Sequence, residues 1–93
     1  MEKNVSVHVW VYGTVQGVFF RAEAKEQAKK LGLVGWIKNL PTGEVEGYAE
    51  GNKTNLEKWI QWCHGGPARA RVTHVKTVWG EATEQFLNFS VIR

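Results

Sequence analysis

The 93-residue sequence has twelve lysine and arginine residues against nine acidic ones, giving a formal net charge of +3. This length predicts one domain over residues 1–93, and no apolar run approaches the roughly 20 residues of a membrane-spanning helix. The only cysteine, Cys63, leaves no partner for an intrachain disulfide or a thiolate metal cluster. We therefore expect a cytoplasmic monomer without a membrane partner, whose positive charge favours small anionic ligands.

The first half of the chain alternates between strand and helix patterns. Valines at every second position predict a half-buried strand over residues 5–12. Residues 20–31 place apolar side chains at helical spacing, and Gly32 can end this helix in a left-handed conformation. Two further strands are predicted over residues 34–39 and 44–50, joined by a turn that contains proline and glycine.

The second helix is predicted from its start signal and its apolar stripe. Gly51 and Asn52 are expected to end the preceding strand, and Thr54 with Glu57 resembles a capping box at a helix N-terminus. Apolar residues then recur at helical spacing as far as Cys63, which we expect to be a buried structural thiol.

The last two strands are predicted over residues 72–79 and 86–92. The resulting order β, α, β, β, α, β indicates an α+β ferredoxin-like split βαβ sandwich, an antiparallel sheet with two helices on one face and a short fifth strand. The first two strands then run parallel on either side of the third. Their C-terminal ends share one sheet edge, about 10 Å apart, which would bring Arg21 and Asn39 near one ligand.

The loop over residues 13–20 has the composition of an anion site. Gly13 and Gly17 allow positive φ angles, so successive N–H groups can turn inward before a helix N-terminus. No Ser, Thr, Asp or Asn stands at positions 17–20 to cap that helix, and Arg21 lies at the end that disfavours a cation. An anion in the loop would explain both features, although a tight turn with a solvated arginine would have the same spacing.

Two motifs resemble the signatures of the acylphosphatase family. The first is GTVQGVFFR over residues 13–21, and the second is GWIKN over residues 35–39, followed by Gly43-Glu44-Val45 and a later Gly51. Ile37 is larger than the small apolar residue expected at its position. The resemblance covers nearly the whole chain.

The resemblance implies an enzyme that hydrolyses acyl phosphates to a carboxylate and inorganic phosphate, without a metal or a cofactor. By motif position, Arg21 would grip the phosphoryl oxygens and Asn39 would position the attacking water. Phosphate would also be the inhibitory product. The family pattern implies that backbone N–H groups cradle the phosphate, from Val15, Gln16, Gly17, Val18, Phe19 and Phe20.

Three alternatives share this topology. A degenerate relative would bind phosphate without turnover. An RNA-binding module would stack bases on sheet aromatics, and the third strand of such modules is basic and glycine-rich. The predicted third strand of this sequence, residues 44–50, is acidic instead. A copper metallochaperone would need a Cys-x-x-Cys pair in the first loop, which this sequence lacks. We therefore expect no nucleic-acid partner and no metal.

Overall fold

The computed structural model describes residues 3–93, and the first two residues lie outside the described part. Two helices and five strands follow one another along this part of the chain, with these bounds: β1 (Asn4–Thr14), α1 (Phe20–Lys30), β2 (Val34–Asn39), β3 (Val45–Asn52), α2 (Lys53–Gly65), β4 (Arg71–Glu81) and β5 (Phe89–Ile92). The sheet has the order β4-β1-β3-β2-β5, and each neighbouring pair is antiparallel except β2 and β5. The predicted α+β ferredoxin-like fold is confirmed. In the described part, neither helix is long and apolar enough to cross a membrane.

The core lies between the helices and one face of the sheet. Val7, Val9 and Val11 of β1 are fully buried, while His8 and Trp10 between them are half-buried on the opposite face. This pattern confirms the predicted half-buried strand, since alternate side chains of a strand point to opposite faces.

A buried hydrogen bond joins the two helices within the core. Trp59 of α2 is fully buried, and its Nε1–H donates to the Ala24 carbonyl oxygen of α1 over 3.1 Å. Cys63, one helical turn after Trp59, is also fully buried, and burial raises the pKa of its thiol. The thiol is therefore structural, as predicted.

The predicted boundary between β3 and α2 is wrong. The strand continues through Asn52, and the helix begins at Lys53 with Asn52 as its cap, whose side-chain oxygen accepts from the Asn55 N–H over 2.8 Å. The helix therefore begins from an Asn52 cap, two residues before the capping box expected at Thr54. Gly51 does not break the strand, because its missing side chain makes room for Leu33, whose Cδ2 would lie 2.4 Å from a Cβ at Gly51.

The segment between β4 and β5 is held by a buried carboxylate. β5 begins at Phe89 rather than at residue 86, so residues 82–88 form a loop. Glu50 of β3 accepts hydrogen bonds from the Thr83 N–H over 2.8 Å, the Thr83 hydroxyl over 2.9 Å and the Glu84 N–H over 3.0 Å. The Tyr48 hydroxyl donates to the same carboxylate over 2.5 Å. These contacts fix the loop to the body of the sheet.

Candidate active site

The end of β1 contains a position where only glycine fits. Gly13 follows an irregularity in the β1–β4 pairing and has a φ of 125°. A Cβ at Gly13 would lie 2.0 Å from the Arg71 carbonyl oxygen of β4. Gly17 also has a positive φ, 76°, but stands in open space. Both glycines therefore adopt the conformations that the sequence predicted, and they turn the chain from the end of β1 into α1.

The N-terminus of α1 is open to a ligand. Its N-cap residue is Phe19, and no side chain in the described part of the chain caps the helix there. The first turn of the helix holds Arg21 beside the positive end of the helix dipole. The sequence predicted both features, which together give a cluster of N–H donors and one guanidinium at one end of the sheet.

Asn39 reaches the same end from β2. In the sheet register, Val45 of β3 lies opposite both Val11 of β1 and Asn39 of β2, so these three residues form a row across the strands. Gly13, near the end of β1, therefore lies two residues beyond Val11, the β1 member of a row that ends at Asn39. The predicted convergence of the two strand ends is confirmed by this register.

Arg21 and Asn39 line one cavity of about 630 Å³. Four other residues from the predicted cradle also line it: Val15, Gly17, Phe19 and Phe20. The side chains of Gln16 and Val18 do not. Val18 packs against the core, and Gln16 points towards the turn after β2. Both predicted catalytic residues therefore lie on the wall of the same cavity, together with residues of the loop.

The Asn39 side chain has an acceptor without a partner. Its Oδ1 is buried and accepts no hydrogen bond from any residue that the structure describes. An unsatisfied buried acceptor is unfavourable unless a water or ligand supplies the donor. Asn39 therefore lines the cavity with a side-chain oxygen that has no partner among the described residues, in contrast to a turn residue that satisfies its own backbone.

Gln16 links the two halves of the cavity, a contact that sequence reasoning missed. Its Nε2 donates to the Leu40 carbonyl oxygen over 2.7 Å and to the Glu44 carbonyl oxygen over 3.0 Å. Both acceptors belong to the turn that follows Asn39. The side chain thereby ties the loop after β1 to the turn after β2.

Comparison with known proteins identifies the family. The family model described as Acylphosphatase matches residues 7–91. The chain belongs to the acylphosphatase family.

Two curated relatives, both named acylphosphatase, match most of the chain. The protein of Thermococcus kodakarensis is 46% identical over 90 residues, which cover 97% of this chain and 98% of the relative. The protein of Pelotomaculum thermopropionicum is 45% identical over 84 residues, which cover 90% of this chain and 91% of the relative. Among solved structures, the acylphosphatase of Bacillus subtilis superposes with a TM-score of 0.92 at 31% identity, covering 96% of this chain and 99% of that one.

In this member of the acylphosphatase family, the cavity has more cationic than anionic side chains. Lys25 and Arg93 line it together with Arg21, and among the described residues Glu26 is the one acidic side chain of the lining. Sequence reasoning did not single out Lys25, although it follows Arg21 by one helical turn and so had to share its face. The described residues contain no group of three or more His, Cys, Asp or Glu side chains arranged to hold a metal ion.

Proposed function

We propose that this protein is an acylphosphatase that hydrolyses acyl phosphates to a carboxylate and inorganic phosphate. One observation carries the proposal: Arg21, beside an uncapped helix N-terminus, and Asn39, with an unpartnered side-chain oxygen, line the same cavity. Membership of the acylphosphatase family supports the same reaction.

In this proposal the loop and Arg21 hold the phosphoryl group. Backbone N–H groups of residues 15–20 surround the phosphate from the loop and the first turn of α1, where the dipole favours an anion. The planar Arg21 guanidinium donates two parallel hydrogen bonds to phosphoryl oxygens. Phosphoryl transfer passes through a loose transition state, so these donors act on the charge of the equatorial oxygens.

Asn39 is proposed to position the attacking water. Its buried Oδ1 accepts a hydrogen bond from the water and so fixes the direction of a water lone pair towards phosphorus. The bond from the water oxygen to phosphorus forms while the bond from phosphorus to the acyl oxygen breaks. The electron pair of the broken bond leaves with the carboxylate, and a phosphoryl oxygen takes the proton of the water.

The proposed reaction uses neither a metal ion nor a cofactor. A carboxylate is a good leaving group and requires no strong general acid. The charge of the transition state is met by Arg21 and the loop amides, which are already in place before the substrate binds. Inorganic phosphate, which has the same oxygens, is proposed to be a competitive inhibitor as well as the product. Because both catalytic candidates come from one chain, a monomer is sufficient for this chemistry.

The test is hydrolysis of benzoyl phosphate in the presence of EDTA. Wild-type protein should turn over, Arg21→Ala should lose both turnover and inhibition by phosphate, and Asn39→Ala should lose turnover. Arg69→Ala and Asn88→Ala are matched controls, since both residues are exposed and lie outside the cavity. Phosphate binding without turnover in the wild type would instead support a binding-only relative. Turnover that EDTA abolishes would overturn the metal-independent mechanism.

A further inference from the structure

Phe19 differs from the other phenylalanines in its surroundings. Each of the other three packs against an aromatic ring, in the pairs Phe20–Trp62, Phe86–Tyr48 and Phe89–Trp59. Within residues 3–93, Phe19 has no such ring partner, and 72% of its surface is exposed. Single exposed apolar side chains are common on protein surfaces, so it is the position of Phe19 on the cavity wall, and not its exposure alone, that suggests a role in binding.

The backbone of Phe19 is also in an unfavourable conformation. Its φ of 66° and ψ of 21° lie in the left-handed region, which is an outlier for a bulky residue and is normally occupied by Gly, Asn or Asp. Such conformations persist where the surrounding structure imposes them, and they concentrate at ligand sites. Here the conformation turns the side chain away from the core, where Phe20 is buried, and onto the wall of the cavity.

Phe19 lines the cavity into which the acyl group of the substrate would extend from the phosphate cradle. The loop amides and Arg21 account for the phosphoryl oxygens, but an acyl phosphate also has an acyl group that must extend from the cradle into the cavity. Besides Phe19, apolar side chains of Ala22 and Val91 line that cavity. An aromatic face next to small aliphatic groups favours a flat apolar ligand.

We propose that Phe19 forms a subsite for the acyl group and gives the enzyme a preference for aromatic acyl phosphates over small or charged ones. This inference rests on the proposed acylphosphatase function. The competing feature is the pair of cations, Lys25 and Arg93, at the same cavity, which would favour an acyl group with a second negative charge. Phe19 belongs to the cradle itself, whereas Lys25 lies one helical turn beyond Arg21 on α1 and Arg93 follows the end of β5.

The experiment compares kcat/KM for benzoyl, acetyl and 4-carboxybenzoyl phosphate. We expect the wild type to prefer benzoyl phosphate, and Phe19→Asn to lower the ratio of benzoyl to acetyl phosphate about tenfold. Asparagine tolerates the left-handed conformation, so this variant removes the ring without changing the turn. Phe19→Trp should retain the preference. Each ratio compares two substrates on the same enzyme. A substitution that weakens the shared phosphate cradle would therefore lower both kcat/KM values and cancel in their ratio.

Leu87→Ala is the matched control, because Leu87 is a 95% exposed apolar residue outside the cavity, and its substitution should leave the ratio unchanged. An unchanged ratio in Phe19→Asn would overturn the subsite, as would a wild-type preference for 4-carboxybenzoyl phosphate.

A second measurement tests the Phe19 subsite separately from the proposed hydrolysis of acyl phosphates. Benzylphosphonate and methylphosphonate carry an aromatic and a small aliphatic substituent, as benzoyl and acetyl phosphate do. Their P–C bonds are not cleaved by this reaction, so their dissociation constants report binding alone. Tighter binding of benzylphosphonate that disappears in Phe19→Asn would support the subsite even if no acyl phosphate is hydrolysed. Equal binding of both phosphonates to the wild type would overturn it.

Discussion

The Gln16 Nε2 lies 2.7 Å from the Leu40 carbonyl oxygen, and this hydrogen bond joins the loop after β1 to the residue that follows Asn39. Its second bond, to the Glu44 carbonyl oxygen, spans the turn between β2 and β3. The backbone of residue 16 is part of the proposed phosphate cradle, while its side chain fixes the segment that bears Asn39. The two proposed halves of the active site are therefore held at a set distance by one side chain.

Replacing Gln16 should reduce turnover more than phosphate binding. Gln16→Ala removes both donors and leaves the Leu40 and Glu44 carbonyl oxygens with only their backbone partners, the N–H groups of Gly43 and Leu40. Gln16→Glu places a carboxylate against the same oxygens. A small displacement of the Asn39 segment should lower kcat about 10- to 100-fold, since alignment of water and phosphorus is lost. The measurement is kcat together with the inhibition constant of phosphate, with exposed Gln61→Ala as control. Equal losses of turnover and phosphate binding would show that the cradle itself had collapsed.

Asn39→Ala should separate activity from stability. The substitution removes the proposed water ligand, so kcat should fall by about 100-fold or more. It also removes a buried oxygen that has no partner among the described residues, so the free energy of unfolding should stay the same or increase. Urea denaturation and steady-state kinetics on the same preparation test both statements. A clear loss of stability would mean that the Asn39 side chain has a structural role instead.

The two glycines of the loop should respond differently to alanine. At Gly13 an alanine Cβ would meet the Arg71 carbonyl oxygen at 2.0 Å, so Gly13→Ala should lower the free energy of unfolding by more than about 2 kcal/mol. At Gly17 nothing lies within 4 Å, so Gly17→Ala should lower it by only about 1 kcal/mol through its positive φ. Gly65, which has neither a close neighbour nor a positive φ, supplies the control. Similar effects at Gly13 and Gly17 would contradict this argument.

The site could be predicted from the sequence as far as local patterns and topology reach. The bounds of β2, Val34–Asn39, are as predicted, because alternation and flanking turn residues are local signals. The chain order then implied that Asn39 and the loop at Gly13 share one sheet edge, and the register confirms it. The chemical roles of Arg21 and Asn39 remain predictions.

Contacts between distant parts of the chain account for what the sequence did not predict. Gln16 and Leu40 are 24 residues apart, so no local pattern predicts their hydrogen bond. Glycine is typical of the end of a strand, yet Gly51 lies within β3, where its missing side chain makes room for Leu33. Both features depend on tertiary packing, which overrides the local preference of each residue.

Glu50 gives the stability of the protein a predictable dependence on pH. Burial by itself raises the pKa of this carboxyl, but the hydrogen bonds from Tyr48, Thr83 and Glu84 outweigh it and bring the pKa below its ordinary value of 4.5. A carboxyl whose pKa is lower in the folded state than in the unfolded state stabilises the fold above the unfolded pKa. That contribution disappears as the pH falls through the folded pKa.

Glu50→Gln should therefore be less stable than the wild type at neutral pH, by about 1 to 3 kcal/mol, because the glutamine NH₂ cannot accept from the loop N–H groups. The difference should shrink as the pH falls below about 4.5, where the wild-type carboxyl takes up its proton. Urea denaturation from pH 7 to pH 3 measures this, with exposed Glu57→Gln as the matched control. The same substitution should release residues 82–85, which Glu50 holds to the sheet, and increase their amide hydrogen exchange. A stability difference that is constant over this pH range would show that the Glu50 carboxylate charge is not what holds the loop.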